Sequence, residues 1–171
     1  MVERPPALYD QLTGLVNRDL FMDRLAHAKE RAERQDRLLA LILAEINGFD
    51  TLPEEEHDIL LRAAAQRLRS CVRKVDTLAR PDEARFAVIV EGVRARDQVT
   101  ELANKVVGQL DQPFIVNDER RSMTASVGIS IYPWDTTEVD RLVWNAETAM
   151  LKAHNAGGNS YRLFDEGHLP E

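Results

Sequence analysis

The most constraining feature of this chain is a nearly continuous apolar run, LLALILAEI, from Leu38 to Ile46. A run without alternation is typical of a strand that is buried on both faces. Apolar residues recur at helical spacing in four other segments, which begin near Asn17, Pro53, Gln98 and Thr137. Asn17 is a good helix N-cap, and the residue pair at the start of the last segment resembles a capping box. The pattern predicts a central buried strand with four helices.

Further strands are predicted around turn residues. Leu78–Gly92 indicates two strands joined by a polar turn at Pro81–Arg85. Phe114–Val116 and Ser122–Tyr132 indicate another pair, joined by the charged turn NDERR, and a short strand follows Asn159. The order α-β-α-β-β-α-β-β-α-β predicts an α+β fold, in which helices flank a mostly antiparallel central sheet.

Composition limits the classes of partner. The chain has 171 residues, is 44% hydrophobic and 30% charged, and carries a net charge of −7. This is typical of a single globular domain, and the negative charge argues against a nucleic-acid-binding surface. The single Cys71 excludes an intramolecular disulfide and suits a reducing cytoplasm. No apolar run approaches the ~20 residues of a membrane helix, so we expect no membrane partner.

Three longer motifs carry a resemblance to one bacterial signalling family. Asp10–Arg18 reads DQLTGLVNR, Thr124–Pro133 reads TASVGISIYP, and Ala146–Tyr161 reads AETAMLKAHNAGGNSY. In order and spacing they resemble the motifs DxLTGLxNR, VTxSIGIAxxP and ADxALYxAKxxGRNRY of GGDEF domains, the diguanylate cyclase family. The resemblance implies a palm-like fold related to nucleotidyl cyclases. Members of the family condense two GTP molecules into cyclic di-GMP across a dimer.

The signature hairpin of that family is degenerate here, because DEARF occupies the position of GGDEF. Asp82 and Glu83 replace glycines, whose missing Cβ atoms allow a backbone to approach a nucleotide closely. The metal-binding acid of the family falls on Ala84, and the next glutamate falls on Arg85, a cation that would repel Mg²⁺. The resemblance therefore implies a lost Mg²⁺ site, no other cofactor or metal, and no cyclase activity.

The first strand of the family ends in DxDxFK, whereas this chain has EINGFD. Glu45 keeps the leading carboxylate, Asn47 stands for the second acid, and Asp50 replaces a lysine that binds phosphate. The resemblance thus implies a weakened metal site at this strand end.

Other nucleotide contacts of the family are changed as well. The asparagine that reads guanine falls on Pro53, and the aspartate that contacts guanine corresponds to Asp58 after a shortened loop. The lysine and arginine of KxxGR fall on His154 and Gly158. Most of the phosphate-binding cations are therefore missing.

A second site of the family, the product-inhibition motif RxxD, matches Arg73–Asp76, with five residues between it and the signature. A guanidinium can pair with guanine acceptors or phosphate oxygens, and a carboxylate accepts from guanine N–H groups. The second arginine of the family is replaced by Lys105, a point charge without the fork. RxxD also occurs at Arg94–Asp97 and Arg162–Asp165, outside the position that the family uses. The structural alternative for Arg73–Asp76 is a surface ion pair at a helix end.

The leading hypothesis is a catalytically inactive GGDEF domain that binds cyclic di-GMP or regulates neighbouring domains. The alternatives are a protein-interaction or dimerisation module that binds no nucleotide, an allosteric GTP-binding domain, and, last, a residual cyclase. For the GTP-binding alternative, Arg85 would stand in for the charge of the metal. The simpler interpretation of Arg85 is a salt bridge to Glu45 or Glu83.

We expect residues 1–9 to be a linker, residues 10–165 to form the degenerate GGDEF domain, and residues 166–171 to lead to a downstream domain. In the family such domains often lie between a sensor and an EAL phosphodiesterase domain. The resemblance therefore implies neighbouring sensor and EAL-type domains as partners, with a homodimer as an open alternative.

Overall fold

A computed structural model of the chain describes residues 8–164. The helices are α1 (Arg18–Gln35), α2 (Glu54–Arg69), α3 (Arg96–Asp111) and α4 (Val139–Asn155). The strands are β1 (Leu38–Asn47), β2 (Thr77–Asp82), β3 (Arg85–Val93), β4 (Phe114–Val116), β5 (Glu119–Arg121), β6 (Thr124–Tyr132) and β7 (Ser160–Leu163). Most of the expected linker, the last residue of the expected domain and the expected tail lie outside the described residues.

The main sheet has five strands in the order β2-β3-β1-β6-β7. The apolar strand β1 lies at its centre and pairs antiparallel with β3 and with β6, while β7 is parallel to β6. The mostly antiparallel α+β fold expected from the sequence is confirmed. Because β1 is covered on both faces, its successive side chains enter two separate cores, which explains the run without alternation.

Two helices cover each face of this sheet. The apolar stripes of α2 and α3 pack in one core, and those of α1 and α4 pack in the other. The side chain of Asn17 caps α1 by accepting from the amide of Leu20 at 3.0 Å, as the sequence predicts. Close packing of α4 on β6 depends on Gly128, because a Cβ there would overlap the Ala146 carbonyl and the Met150 amide. Within residues 8–164, no helix combines the length and apolarity that a membrane crossing requires.

Three local expectations were wrong. β4 and β6 were expected to pair with each other, but they do not. The charged residues expected to form the turn between them instead form β5, which pairs with β4 in a separate two-stranded sheet. The expected capping box at Thr137 is absent, because the Thr136 hydroxyl accepts from the Glu138 amide and α4 begins at Val139. The polar turn is also shorter than expected, since β2 and β3 pair as far as Asp82 and Arg85.

Candidate functional site

A cleft lies at the carboxyl end of β1, beside the turn that joins β2 to β3. Its volume is about 480 Å³. The sheet register brings Glu45 opposite Arg85, and the amide of Ile46 donates to the carbonyl of Ala84 at 3.0 Å. The strand end and the hairpin therefore form adjoining walls. The degenerate positions that line the cleft are Glu45, Asn47, Asp50, Asp82, Glu83, Ala84, Arg85 and His154.

Arg85 is surrounded by carboxylates in this cleft. Its Nε donates to Glu45 Oε2 at 3.0 Å, and its Nη1 donates to Glu147 Oε2 at 3.1 Å. Asp82 Oδ2 lies 3.8 Å from Nη1 and is shared with Arg18 at 3.4 Å. Partial burial lowers the pKa of Arg85, but the hydrogen bond to Glu45 and the surrounding negative charge outweigh it and raise the pKa. The guanidinium therefore stays charged and neutralises the acids around it.

The side chain of Asn47 is held by its neighbours. Its Nδ2 donates to Thr124 Oγ1 at 3.0 Å, and its Oδ1 accepts from Ser126 Oγ at 3.1 Å. His154 Nδ1 lies 3.1 Å from the same Oδ1. Gly158 has a φ of +74°, and a Cβ there would come within 2.6 Å of Asn47 Nδ2. Asn47 and His154 are thus bound to each other at the position where the family places an acid and a lysine.

The remaining degenerate positions do not converge on one point. Asp50 is exposed in a short 3₁₀ turn, and Glu83 is exposed at the hairpin turn without an ion pair to Arg85. Pro53 directly precedes α2, and Asp58 is exposed on that helix. Neither of these two residues lines the cleft. The two guanine-contacting positions therefore lie on α2 or directly before it, outside the lining of the cleft.

The residues present do not fit the Mg²⁺ ion for which the family has a binding site. Ala84 supplies no side-chain oxygen, and the guanidinium of Arg85 is bonded to Glu45, where its positive charge would repel a divalent cation. Among the described residues, no group of three or more His, Cys, Asp or Glu side chains is arranged to hold a metal ion.

The hairpin turn is anchored by a residue that the sequence did not single out. Arg80 Nε donates to the carbonyl of Glu83 at 2.9 Å, and its Nη1 donates to both carboxylate oxygens of Asp10 at 3.0 Å. Partial burial raises the pKa of Asp10, but hydrogen bonds from Thr13 and Arg80 outweigh it and hold that pKa below its usual range. The N-terminal motif is thereby joined to the turn.

Two residues of the cleft region, Glu147 and Arg80, were missed from sequence. Each carries a signal, because Glu147 lies within the motif AETAMLKAHNAGGNSY and Arg80 comes two residues before DEARF. Glu147 bonds to Arg85, which is 62 residues away in sequence, and Arg80 bonds to Asp10, which is 70 residues away. Only the fold reveals these pairings.

A second cavity, of about 240 Å³, lies between α3 and the segment that precedes β2. The structure brings together here the three residues expected at the inhibitory-type site, Arg73, Asp76 and Lys105. Glu101, which the sequence did not suggest, lines the same cavity. It precedes Lys105 by one helical turn, so both side chains lie on the face of α3 that borders the cavity.

The Arg73 guanidinium is folded onto Asp76. Its Nε and Nη2 donate to the two carboxylate oxygens at 3.1 and 2.8 Å, and Nη2 also donates to the carbonyl of Glu91 at 2.7 Å. The Asp76 side chain is 0% exposed, whereas that of Arg73 is 51% exposed. The pair is therefore preorganised, with the cation outward and the carboxylate covered.

Comparison with known proteins gives concordant matches. Residues 7–160 match the sequence profile described as "Diguanylate cyclase, GGDEF domain". The bifunctional diguanylate cyclase/cyclic di-GMP phosphodiesterase MucR of Pseudomonas aeruginosa is 37% identical over 163 residues, which are 93% of this chain and 24% of MucR. The diguanylate cyclase TpbB of the same organism is 28% identical over 92% of this chain and 37% of TpbB.

The structural comparison agrees. A solved structure comprising only the GGDEF domain of TpbB from P. aeruginosa superposes with a TM-score of 0.87 at 28% identity. The superposition covers 91% of this chain and 93% of that structure. The chain thus spans about a quarter to a third of the full-length relatives, but nearly the whole of the isolated domain.

Proposed function

Because this chain belongs to the GGDEF domain family of cyclic di-GMP signalling, we propose that it is a catalytically inactive member of that family. Its function in the proposal is to bind cyclic di-GMP at the cavity of Arg73, Asp76 and Lys105 and to transmit that occupancy to neighbouring domains. The proposal places the domain in the cytoplasm.

The observation that carries the loss of catalysis is the position of Arg85. Its guanidinium is bonded to Glu45 and Glu147 at 3.0 and 3.1 Å, so these acids are already neutralised. A divalent cation would have to displace a charged side chain that is tethered to the backbone. The cleft also presents Asp82 and Glu83 towards an incoming triphosphate, which adds like-charge repulsion.

The chemistry of the second cavity supports ligand binding there. Arg73 Nη1 makes no hydrogen bond within the described part of the chain, so it has donors available for guanine O6 and N7 or for a phosphate oxygen. Lys105 adds a second positive charge at the same cavity. Typical sites for drug-sized ligands occupy roughly 300–1,000 Å³. At about 240 Å³, this cavity suits one base, with the rest of the dinucleotide on the open surface.

One observation favours a second candidate, an interaction module without nucleotide. Arg73 already satisfies most of its donors through Asp76 and the Glu91 carbonyl, which is the surface ion pair that the alternative requires. In that case the pair only stabilises the segment between α2 and β2, and truncating it leaves every ligand titration unchanged.

Cyclase activity is tested by incubating the purified chain with GTP and Mg²⁺, and separately with Mn²⁺, followed by chromatographic detection of cyclic di-GMP. Full-length TpbB, which is named a diguanylate cyclase, serves as the positive control. We expect no product above a sample without protein. Product formation by this chain would overturn the inactive assignment, whatever the result of ligand titrations.

Binding is tested by calorimetric titration of cyclic di-GMP into the wild-type chain and into Arg73→Ala/Asp76→Ala. The matched control, Glu119→Ala/Arg120→Ala, removes an exposed acid–arginine pair from β5 and leaves net charge unchanged. We expect heat for the wild type and the control and none for the first variant. No heat for the wild type at about 100 μM ligand, where affinities near −5.5 kcal/mol are measurable, would favour the interaction module. A flat titration with GTP would separately exclude the allosteric GTP-binding alternative.

The partners in the full-length protein follow from the same proposal. MucR combines cyclase and phosphodiesterase activities in its name, and this chain covers about a quarter of MucR. We therefore propose that the domain works beside a sensor and an EAL-type phosphodiesterase domain, and that any homodimer forms in that context.

A further inference from the structure

The cavity of Arg73 contains two carboxylates in different states. Asp76 has both oxygens bonded to Arg73 and a side chain that is 0% exposed. Glu101 is exposed and lines the cavity, and its carboxylate makes neither a hydrogen bond nor an ion pair within residues 8–164. A ligand can therefore reach Glu101 while the Arg73–Asp76 pair stays closed.

The edge of a guanine base requires a carboxylate of this kind. Guanine presents the donors N1–H and N2–H₂ next to the acceptor O6, so a carboxylate can accept two hydrogen bonds while a neighbouring cation donates to O6. Adenine presents an unprotonated N1 in that place, which a carboxylate repels. A carboxylate whose side chain is 0% exposed, as that of Asp76 is, cannot take this role while it stays covered.

Resting on the proposed function, we infer that Glu101 is the residue that selects guanine in this cavity. Its carboxylate accepts from N1–H and N2–H₂ of one base, and Arg73 Nη1 donates to O6 of that base. Asp76 is then a positioning residue, which holds the guanidinium of Arg73 in place without touching the ligand. The motif RxxD thus persists here with its acid facing inward.

The position of Glu101 on α3 supports this division of roles. Gln98, Glu101, Leu102 and Lys105 line the cavity at helical spacing, opposite Arg73. Gln98 cannot replace Glu101 as the acceptor, because its Oε1 already accepts from the amides of Arg94 and Ala95. Lys105 is a donor only, and Leu102 is apolar. Glu101 is accordingly the side-chain acceptor that this wall offers without rearrangement.

The test is a calorimetric cycle with two ligands and two proteins. Cyclic di-GMP and its inosine analogue, cyclic di-IMP, differ only in the exocyclic 2-amino groups. Each is titrated into the wild-type chain and into Glu101→Gln, with Glu119→Gln on exposed β5 as the charge-matched control. Thermal unfolding verifies that the variants fold, which is expected for substitutions at exposed positions.

We expect Glu101→Gln to bind cyclic di-GMP about tenfold or more weakly than the wild type, the effect of losing a hydrogen bond to a charged group. The wild type should prefer cyclic di-GMP to cyclic di-IMP, and Glu101→Gln should lose most of that preference, because the two changes remove the same bond. Glu119→Gln should match the wild type in both titrations.

Four results would overturn the inference. Unchanged affinity in Glu101→Gln would remove Glu101 from recognition, while Arg73→Ala/Asp76→Ala would still report on the proposed function. Tighter binding by Glu101→Gln would mean that the carboxylate only repels the phosphates. An equal loss for both ligands with the preference intact would show that Glu101 contacts something other than the 2-amino group. Absence of binding to the wild type would remove both the proposed function and this inference.

Discussion

Replacing Arg85 with methionine tests whether the arginine holds the cleft together in place of a metal. Methionine keeps much of the apolar stem and removes the charge, so Glu45, Glu147 and Asp82 lose their shared partner. The side chain of Arg85 is 31% exposed, and those of Glu45 and Glu147 are 33% and 41% exposed. Solvent therefore screens these pairs substantially, although both hydrogen bonds lie within the usual range of distances.

The expected loss of stability follows from these contacts. Each of the two hydrogen-bonded pairs is expected to contribute about 0.7 kcal/mol, in the upper half of the range for solvent-accessible ion pairs. The contact of Asp82 with Arg85, at 3.8 Å, adds little because Asp82 is also paired with Arg18. Arg85→Met should therefore lower the free energy of unfolding by about 1.5 kcal/mol. With an m-value of about 2 kcal/mol per M, the urea midpoint falls by about 0.7 M.

The assay is urea unfolding followed by circular dichroism, with Arg62→Met as the control. Arg62 is exposed on α2, so its replacement changes net charge equally and should leave the midpoint unchanged. Adding Glu45→Gln to Arg85→Met should restore part of the loss, because it removes one of the unpaired acids. If Arg85→Met and Arg62→Met unfold at the same midpoint, the ion pairs do not stabilise the cleft and the reasoning is refuted.

Three further predictions concern packing, pH and thiol reactivity. Gly128→Ala should lower stability by about 2 kcal/mol or more in thermal unfolding, because its Cβ would lie 2.9 Å from Met150 Cα and closer still to two backbone atoms. Gly108→Ala is the control, because the added Cβ has no neighbour within 4 Å, and it should raise stability by about 0.5–1 kcal/mol. Equal changes in stability for Gly128→Ala and Gly108→Ala would contradict the packing argument. The pKa of Asp10 is lowered in the folded state, so the unfolded chain binds more protons at acidic pH. The stability that this group contributes is therefore present above about pH 4 and is lost as the pH falls further. In Asp10→Asn the urea midpoint should depend less on pH across that range. The same pH dependence in the variant and the wild type would refute the assignment. Burial raises the pKa of the Cys71 thiol, so iodoacetamide should alkylate it more slowly than free cysteine at pH 7.5, and cyclic di-GMP should slow it further because Cys71 lines the cavity. Faster alkylation in the folded chain would contradict the buried environment.

Much of the fold could be predicted from local sequence. The apolar run of β1 indicates a strand buried on both faces, and Asn17 caps α1 as its side chain suggests. The strand Glu119–Arg121 could not be predicted, because three charged residues carry no apolar period. The start of α4 was missed because a threonine hydroxyl made its hydrogen bond one residue before the expected cap.

The candidate site divides in the same way. The residues that occupy the functional positions of the family can be read from the sequence: Ala84 replaces an acid, Arg85 is a cation, and Arg73–Asp76 keeps the RxxD motif. These conclusions need only the residue type at each position and its spacing from the motifs. The folded structure was needed to show that Glu147 reaches Arg85 from α4 and that Glu101 lines the cavity of Arg73. Contacts between residues far apart in sequence depend on helix placement and rotamer choice, which packing sets and local patterns do not encode.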